Sequence, residues 1–389
     1  MFEIMDAQLQ DAVIKVIGVG GCGGNAVDHM IEEGVQGVEF IAINTDAQAL
    51  KRSKARTQLQ IGVNITKGLG AGAIPDVGRA AAEEDRARIA ELIRGANMVF
   101  ITAGMGGGTG TGAAPVVAQV AKEMDILTVA VVTKPFAHEG KRMRLAQAGI
   151  EALTEYVDSL IIVPNEKLMT VLGEDTTLLE AFRSSNSVLQ GAVAGIAEVI
   201  NVDGMINVDF ADVKTLMSEN GMAMMGSATA TGTDRAQKAA KSAMSSPLLE
   251  DVDLSGARGV LVNITASANF TMREYKDVMS CVRSVAADDA TVIVGQVFDE
   301  NMGDALRVTI VATGLGKPRA SQQKPVLAYE QQQRTGTHDA TGSLSVDYRE
   351  LEMPAVMRTN RHREATVEAM KQSGVETLDI PSFLRKQAD

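Results

Sequence analysis

Residues 104–112 read Gly-Met-Gly-Gly-Gly-Thr-Gly-Thr-Gly, between a strand-like run (Met98–Ala103) and a helix-like run (Ala113–Glu123). A glycine turn between strand and helix brings backbone N–H groups close enough to hold an anion at a helix N-terminus. Each glycine removes a Cβ that would keep a phosphate oxygen away, and Thr109 and Thr111 bring hydroxyls as further donors. Pro115 is expected in the first turn of the helix, where a missing N–H costs nothing. No lysine follows the glycines, so the usual P-loop is excluded, and amides with a metal ion must balance the phosphate charge. Two further glycine turns are present, Gly18-Val-Gly-Gly-Cys-Gly-Gly-Asn25 and Gly68-Leu-Gly-Ala-Gly72. Taken alone, the first contains Gly-x-Gly-x-x-Gly and, with Asp46 for a ribose, suggests a dinucleotide turn. A dinucleotide needs one such turn, whereas three suit a nucleoside triphosphate. A dinucleotide-dependent oxidoreductase would also need a catalytic His or Lys, and no residue here proposes itself.

The second chemical candidate is Asn207-Val-Asp209-Phe-Ala-Asp212. Asp209 and Asp212, three apart, share one face at a helix start. They could cap that helix and suit its positive end. Equally, two carboxylates and an amide could polarise a water for attack on a γ-phosphate. A long helix separates this segment from the glycine turns by roughly 30 Å or more. A single chain could not bring the two together; two chains sharing one site could.

The elements that must position these residues follow from periodicity. Residues 13–163 alternate strands (Val13–Val19, Val38–Ile43, Met98–Ala103, Leu127–Val132, Leu160–Val163) with helical runs such as Asn25–Glu33, Val77–Arg94 and Ala113–Glu123. Such alternation predicts a parallel sheet covered by helices, with ligands beyond the carboxyl ends of the strands, where Gly20, Gly104 and Thr133 fall. Leu178, Phe182, Leu189, Val193, Ile196 and Ile200 line one face of a long helix. Strands at Gly259–Ile264, Thr291–Val297 and Leu306–Ala312, with helices at Asp212–Glu219, Ala236–Met244 and Met272–Ala286, predict a second, smaller α/β domain. From Lys317 the polar, glutamine-rich sequence lacks periodicity and is expected to be a disordered linker. Leu378-Asp-Ile-Pro-Ser-Phe-Leu-Arg-Lys386 regains apolar and basic residues, as a docking peptide on a tether would. The expected divisions are an N-terminal extension (1–12), a nucleotide-binding domain (13–177), a central helix (178–203), a C-terminal α/β domain (204–316), a linker (317–375) and a terminal partner-binding peptide (376–389).

Composition limits the alternatives. The 389 residues carry a net charge of −12, and residues 1–316 alone carry −13, which argues against nucleic-acid binding. No apolar run is long enough to span a membrane. The opening Met1-Phe-Glu-Ile-Met-Asp lacks the features of a secretory leader. Only two cysteines, Cys22 and Cys281, fit a reducing cytoplasm, and the four histidines form no zinc spacing.

Together, Gly106-Gly-Gly-Thr-Gly-Thr-Gly112, Asn207-Val-Asp-Phe-Ala-Asp212 and the terminal Asp379-Ile-Pro-Ser-Phe-Leu-Arg-Lys386 closely resemble the tubulin/FtsZ superfamily, in particular its bacterial cell-division GTPases. The resemblance covers the body to about residue 316 and the last dozen residues. It implies a GTPase that polymerises head-to-tail into protofilaments of a cytoplasmic midcell division ring. The phosphates of GTP or GDP would lie among Gly20, Gly21, Cys22, Asn25, Ala71, Gly72, Gly104, Gly106, Gly107, Gly108, Thr109 and Gly110. Thr133, Pro135 and Glu139 would line the ribose side, while Asn165, Phe182 and Asn186 would meet the base. Asn207, Asp209 and Asp212 would enter the next subunit's pocket and orient the attacking water. Mg2+ would be held mainly by phosphates and water, with no protein metal site. The tail residues Ile380, Pro381, Phe383, Leu384, Arg385 and Lys386 would bind membrane-tethering adaptors and assembly regulators, making membrane association indirect.

The chain departs from the family pattern at four places. Cys22 replaces a usual glycine and Ile74 a usual asparagine. The stretch Glu139-Gly-Lys-Arg-Met-Arg144 is one residue short, so Arg142 and Arg144 compete for the phosphate-facing role. Ser187 stands where an aspartate usually reads guanine, removing a charge-assisted hydrogen bond of about 1.5–3 kcal/mol. Cys22 and Ser187 motivate an alternative: a divergent paralogue that binds nucleotide and co-assembles with little turnover.

Overall fold

In the computed structural model, residues 12–315 are described apart from 174–175, 203, 207, 219–220, 247–256, 285 and 288–289. Asn207, the expected N-terminal extension up to residue 11, the linker and the whole terminal peptide lie outside the described residues. The first half runs β1 (Ile14–Val19), α1 (Gly20–Glu32), β2 (Glu39–Asn44), α2 (Ala47–Arg52), β3 (Thr57–Gln60), α3 (Val63–Thr66), α4 (Pro75–Glu84), α5 (Arg86–Ile93), β4 (Met98–Gly104), α6 (Thr109–Glu123), β5 (Leu127–Lys134), α7 (Gly140–Thr154), β6 (Ser159–Pro164) and α8 (Asn165–Leu172). Then follow α9 (Leu178–Asn201), β7 (Gly204–Ile206), α10 (Phe210–Met217), β8 (Gly221–Thr231), α11 (Arg235–Met244), β9 (Gly259–Ala266), α12 (Met272–Arg283), β10 (Thr291–Phe298) and β11 (Ala305–Leu315).

All strands among the described residues join one 11-stranded sheet in the order β3-β2-β1-β4-β5-β6-β8-β11-β9-β10-β7. From β3 to β6 every pairing is parallel, which puts the carboxyl ends of these strands on one edge. Strand β4 is buried on both faces, so Met98-Val-Phe-Ile reads as a continuous apolar run rather than an alternation. Val16 and Phe100 pack into the layer that includes Leu189, Val193 and Ile196 of α9. Ile17, Val99 and Ile101 face the opposite layer, against α6. Among the described residues no helix is long and apolar enough to cross a membrane.

The second α/β layer is not a separate sheet. Short parallel pairing of Ser159–Ile161 with Gly221–Ala223 continues the sheet from β6 into β8. Strand β11 pairs antiparallel with both β8 and β9, and β10 and β7 complete the sheet.

Several local expectations change. The predicted Val77–Arg94 helix breaks at Asp85, because the Asp85 carboxylate accepts the Gly62 N–H at 2.7 Å and pins the chain there. Helix α1 starts at Gly20 instead of Asn25, immediately after β1. Helix α6 starts at Thr109 instead of Ala113, its first bond running from Gly112 N–H to Gly108 O at 3.0 Å. Pro115 therefore sits inside the helix, not in its first turn. The glycines allow the helical turn to reach back into the loop, so its free N–H groups move towards the strand ends.

Candidate nucleotide site

The three glycine turns meet at the carboxyl edge of the sheet. Val19 pairs with Ala103 and Gly104 with Thr133, so the ends of β1, β4 and β5 are neighbours. The contact between the turns is close enough to demand glycine. Gly20 has φ +75°, and a Cβ there would lie 2.9 Å from the Gly110 nitrogen. At Gly108 a Cβ would come 2.8 Å from the Ala71 Cβ, which stacks the third turn on the second. Gly21, Gly72 and Gly107, by contrast, face open space. The backbone thus forms a cradle whose inner contacts exclude side chains and whose open face is free for an anion. A cleft of about 450 Å³ opens beside it, lined by Gly20, Gly21, Asn25, Asn44, Asp46 and Ser53 among others.

Both threonine hydroxyls have partners within the protein. Thr111 Oγ1 accepts the Gly106 N–H at 2.8 Å, bracing the turn, and Thr109 Oγ1 lies 2.7 Å from Thr45 Oγ1. Both are buried. Their role in the structure is to shape the loop. Asp46, the ribose candidate of the dinucleotide reading, caps α2 by accepting from Gln48 and Ala49 N–H.

Cys22 Sγ lies 3.7 Å from Thr133 Oγ1, and its side chain covers Gly104. Surrounding protein pushes the thiol pKa up although the residue as a whole is exposed; Thr133 and the Arg142 charge pull weakly the other way. Thr133 and Pro135 are buried. Glu139 accepts the Phe136 N–H at 3.1 Å and pairs with Arg142. Arg142 also abuts Gly106, where an added Cβ would meet the Arg142 carbonyl oxygen at 2.7 Å. That brings the Arg142 backbone to the glycine turn; the side chains of Arg142 and Arg144 are both exposed on α7.

Further along the edge, α8 begins at Asn165 directly after β6. Asn165 Oδ1 accepts from Ser185 Oγ at 3.3 Å, tying it to α9. Phe182 does not join the buried stripe of α9: it is 48% exposed, while Leu189, Val193 and Ile196 are fully buried. Asn186 is half-buried one turn beyond it. His29 of α1 completes this end with Nε2 3.2 Å from Ser187 Oγ. Neither His29 nor Thr45 stood out in the sequence, because each matters only through a contact far along the chain.

The acidic pair lies elsewhere. Helix α9 has 24 residues, a span of about 36 Å. Its start adjoins Asn165 at the carboxyl edge of the sheet. At its far end Asn201 Nδ2 donates to the Ala12 and Gly37 carbonyls, just before β1 and β2, at 3.0 and 2.7 Å. Beyond that end, the α10 carbonyl of Leu216 accepts from Thr313 Oγ1, which also meets Gly259 O at the start of β9. Asp209 occupies the N-cap position of α10 but makes no capping hydrogen bond, and Asp212 lies in the first turn. Both are exposed. The glycine cradle and the carboxylates thus occupy opposite edges of the molecule.

Comparison with known proteins agrees with this architecture. The tubulin/FtsZ family GTPase domain matches residues 13–173, and the FtsZ family C-terminal domain matches residues 221–316. A cell division protein FtsZ from Pseudomonas aeruginosa is 58% identical, the match covering 100% of both chains. The chain belongs to the tubulin/FtsZ family. The FtsZ of Coxiella burnetii is 55% identical over 99% of each chain. Among solved structures, an empty FtsZ dimer from M. jannaschii superposes with a TM-score of 0.75 at 44% identity, covering 79% of this chain and 89% of that one. CetZ2 from Haloferax volcanii, at 22% identity and a TM-score of 0.66, shares the fold. As an FtsZ-family member, the chain carries a tubulin-like GTPase domain with its fold of parallel sheet, long helix and second α/β layer.

Proposed function

We propose that this chain assembles head-to-tail into a filament and hydrolyses GTP where two subunits meet. The observation that carries this reading is the separation of the glycine cradle from Asp209 and Asp212 by the length of α9. One subunit would bind the triphosphate on the N–H groups around Gly20, Gly107 and Gly110, with Arg142 beside them. The next would present Asn207, Asp209 and Asp212 to orient the attacking water. Catalysis would consist of positioning and charge stabilisation. Mg2+ would neutralise phosphate charge through phosphate and water oxygens. A heterologous contact of this kind does not close, and so propagates. Exposed apolar residues around the third glycine turn, Leu69 at 82% and Ile74 at 52%, suit such a contact. The base would rest on Phe182, with Asn165 and Asn186 at its edge and Thr133, Pro135 and Glu139 near the ribose.

The terminal peptide, through Ile380, Pro381, Phe383, Leu384, Arg385 and Lys386, would dock to tethering adaptors and regulators. This would place the filament at the cytoplasmic face of the division site without direct membrane insertion. The domain divisions expected from the sequence are proposed with it.

Asp212→Ala is expected to bind GTP normally and lose at least tenfold in turnover. Phosphate release by the wild type should rise more than linearly with protein concentration. Normal turnover by Asp212→Ala, or a specific rate independent of concentration, would end the shared-site reading. The divergent-paralogue alternative would instead give nucleotide binding and co-assembly with negligible turnover in the wild type.

A further inference from the structure

We infer that the base end of this site lacks a carboxylate reader and therefore binds guanine and hypoxanthine triphosphates with similar affinity; the inference rests on the nucleotide reading above. Helix α1 starts at the cradle, and His29 lies nine residues on, about 14 Å along the axis. That leaves room for a ribose and puts a purine beside the contact between His29 and Ser187. The side chains available there are Asn165, Ser185, Asn186, Ser187 and His29: amides, hydroxyls and an imidazole, with no carboxylate among them. By amide flip, hydroxyl rotation or tautomer exchange each can donate or accept. None imposes a fixed pair of acceptors, which is what the N1–H and 2-amino group of guanine require.

Ser187 is also partly occupied. Its hydroxyl donates to the Arg183 carbonyl at 3.0 Å and meets His29 Nε2 at 3.2 Å. Each carboxylate of α1, α8 and the first turn of α9 already has a partner. Asp28 accepts from Ser53 Oγ and the Lys54 N–H at 2.8 and 2.7 Å. Glu32 pairs with Lys54, and also lies within electrostatic range of His29. Glu180 closes the capping box of α9 with Thr177. Glu166 accepts the Ala137 N–H at 3.2 Å. None of these carboxylates hydrogen-bonds to Asn165, Ser185, Ser187 or His29, so the presence of the 2-amino group in GTP and its absence in inosine triphosphate should change little.

The test measures dissociation constants of GTP and inosine triphosphate on the full-length chain by calorimetry. Wild type should hold the two within about tenfold, the scale of one neutral hydrogen bond. Ser187→Asp in a His29→Gln background, which removes imidazole competition for the new carboxylate, should raise the ratio in favour of GTP by about tenfold or more. A wild-type preference for GTP above about tenfold would overturn the inference while leaving the nucleotide site intact. An unchanged ratio in the double variant would also overturn it, because position 187 would then not face the base. Binding of neither nucleotide would instead defeat the nucleotide reading itself.

Discussion

A methyl group added at Gly107 and one added at Gly108 should fail in different ways. At Gly108 it would press to 2.8 Å from the Ala71 Cβ and 3.0 Å from the Ile74 nitrogen. The third turn would have to shift, at a cost of about 1–3 kcal/mol of stability. At Gly107 nothing lies within 4 Å, so Gly107→Ala should melt with the wild type. Its methyl would instead occupy the open face of the cradle and weaken GTP binding by on the order of tenfold. Thermal melting with and without GTP separates the two outcomes. Unaltered GTP affinity in Gly107→Ala would mean that the phosphates do not lie on that face. The glycines themselves were legible in the sequence, since no other residue type serves where backbones touch. The contact between Thr109 and Thr45 was not, because the two lie 64 positions apart.

At the level of elements, legibility followed how much of each element's stability is local. Met98–Gly104 and Leu127–Lys134 are dense in apolar and β-branched residues, and their strand character shows in any window. Strand β8, Gly-Met-Ala-Met-Met-Gly-Ser-Ala-Thr-Ala-Thr, has weak β propensity in its first half and is extended because β11 and β6 pair with it. The break at Asp85 is equally nonlocal. Helix α12 combines both kinds of information. Its Thr271–Glu274 capping box is visible in sequence, but Glu274 also pairs at 2.6 Å with Arg235, which is only 6% exposed. The Arg235 hydrogen bond, more than the bonds from Thr271, holds the Glu274 carboxyl below its ordinary pKa, burial opposing it. A depressed folded value means the pair's stabilisation is complete above the unfolded pKa of about 4.3 and is lost as pH falls through the folded value. Glu274→Gln should therefore cost on the order of 3 kcal/mol at pH 7, by leaving the guanidinium without its charge partner. The difference from wild type should shrink in urea titrations carried down through the acid range. A difference that stays constant with pH would mean that the carboxylate charge contributes nothing.

For the whole molecule, the decisive property is that each chain would carry two halves of different sites, one at each edge of the sheet. Two chains defective in opposite halves should then repair each other. Gly107→Val leaves the acidic segment intact while filling the cradle; Asp212→Ala leaves the cradle intact. Each alone should release little phosphate. If both variants still enter filaments at random, about a quarter of the interfaces in an equimolar mixture join an intact cradle to an intact acidic loop. Turnover should recover to about that fraction of the wild-type rate, provided Gly107→Val is confirmed in the sedimented polymer. Recovery requires cradle and carboxylates to come from different chains, since no single chain in the mixture has both. A mixture that co-sediments yet hydrolyses no faster than its parts would show that each chain completes its own site. The 24-residue helix would then have to bend or the second layer fold over, a change that the shared β6–β8 pairing opposes.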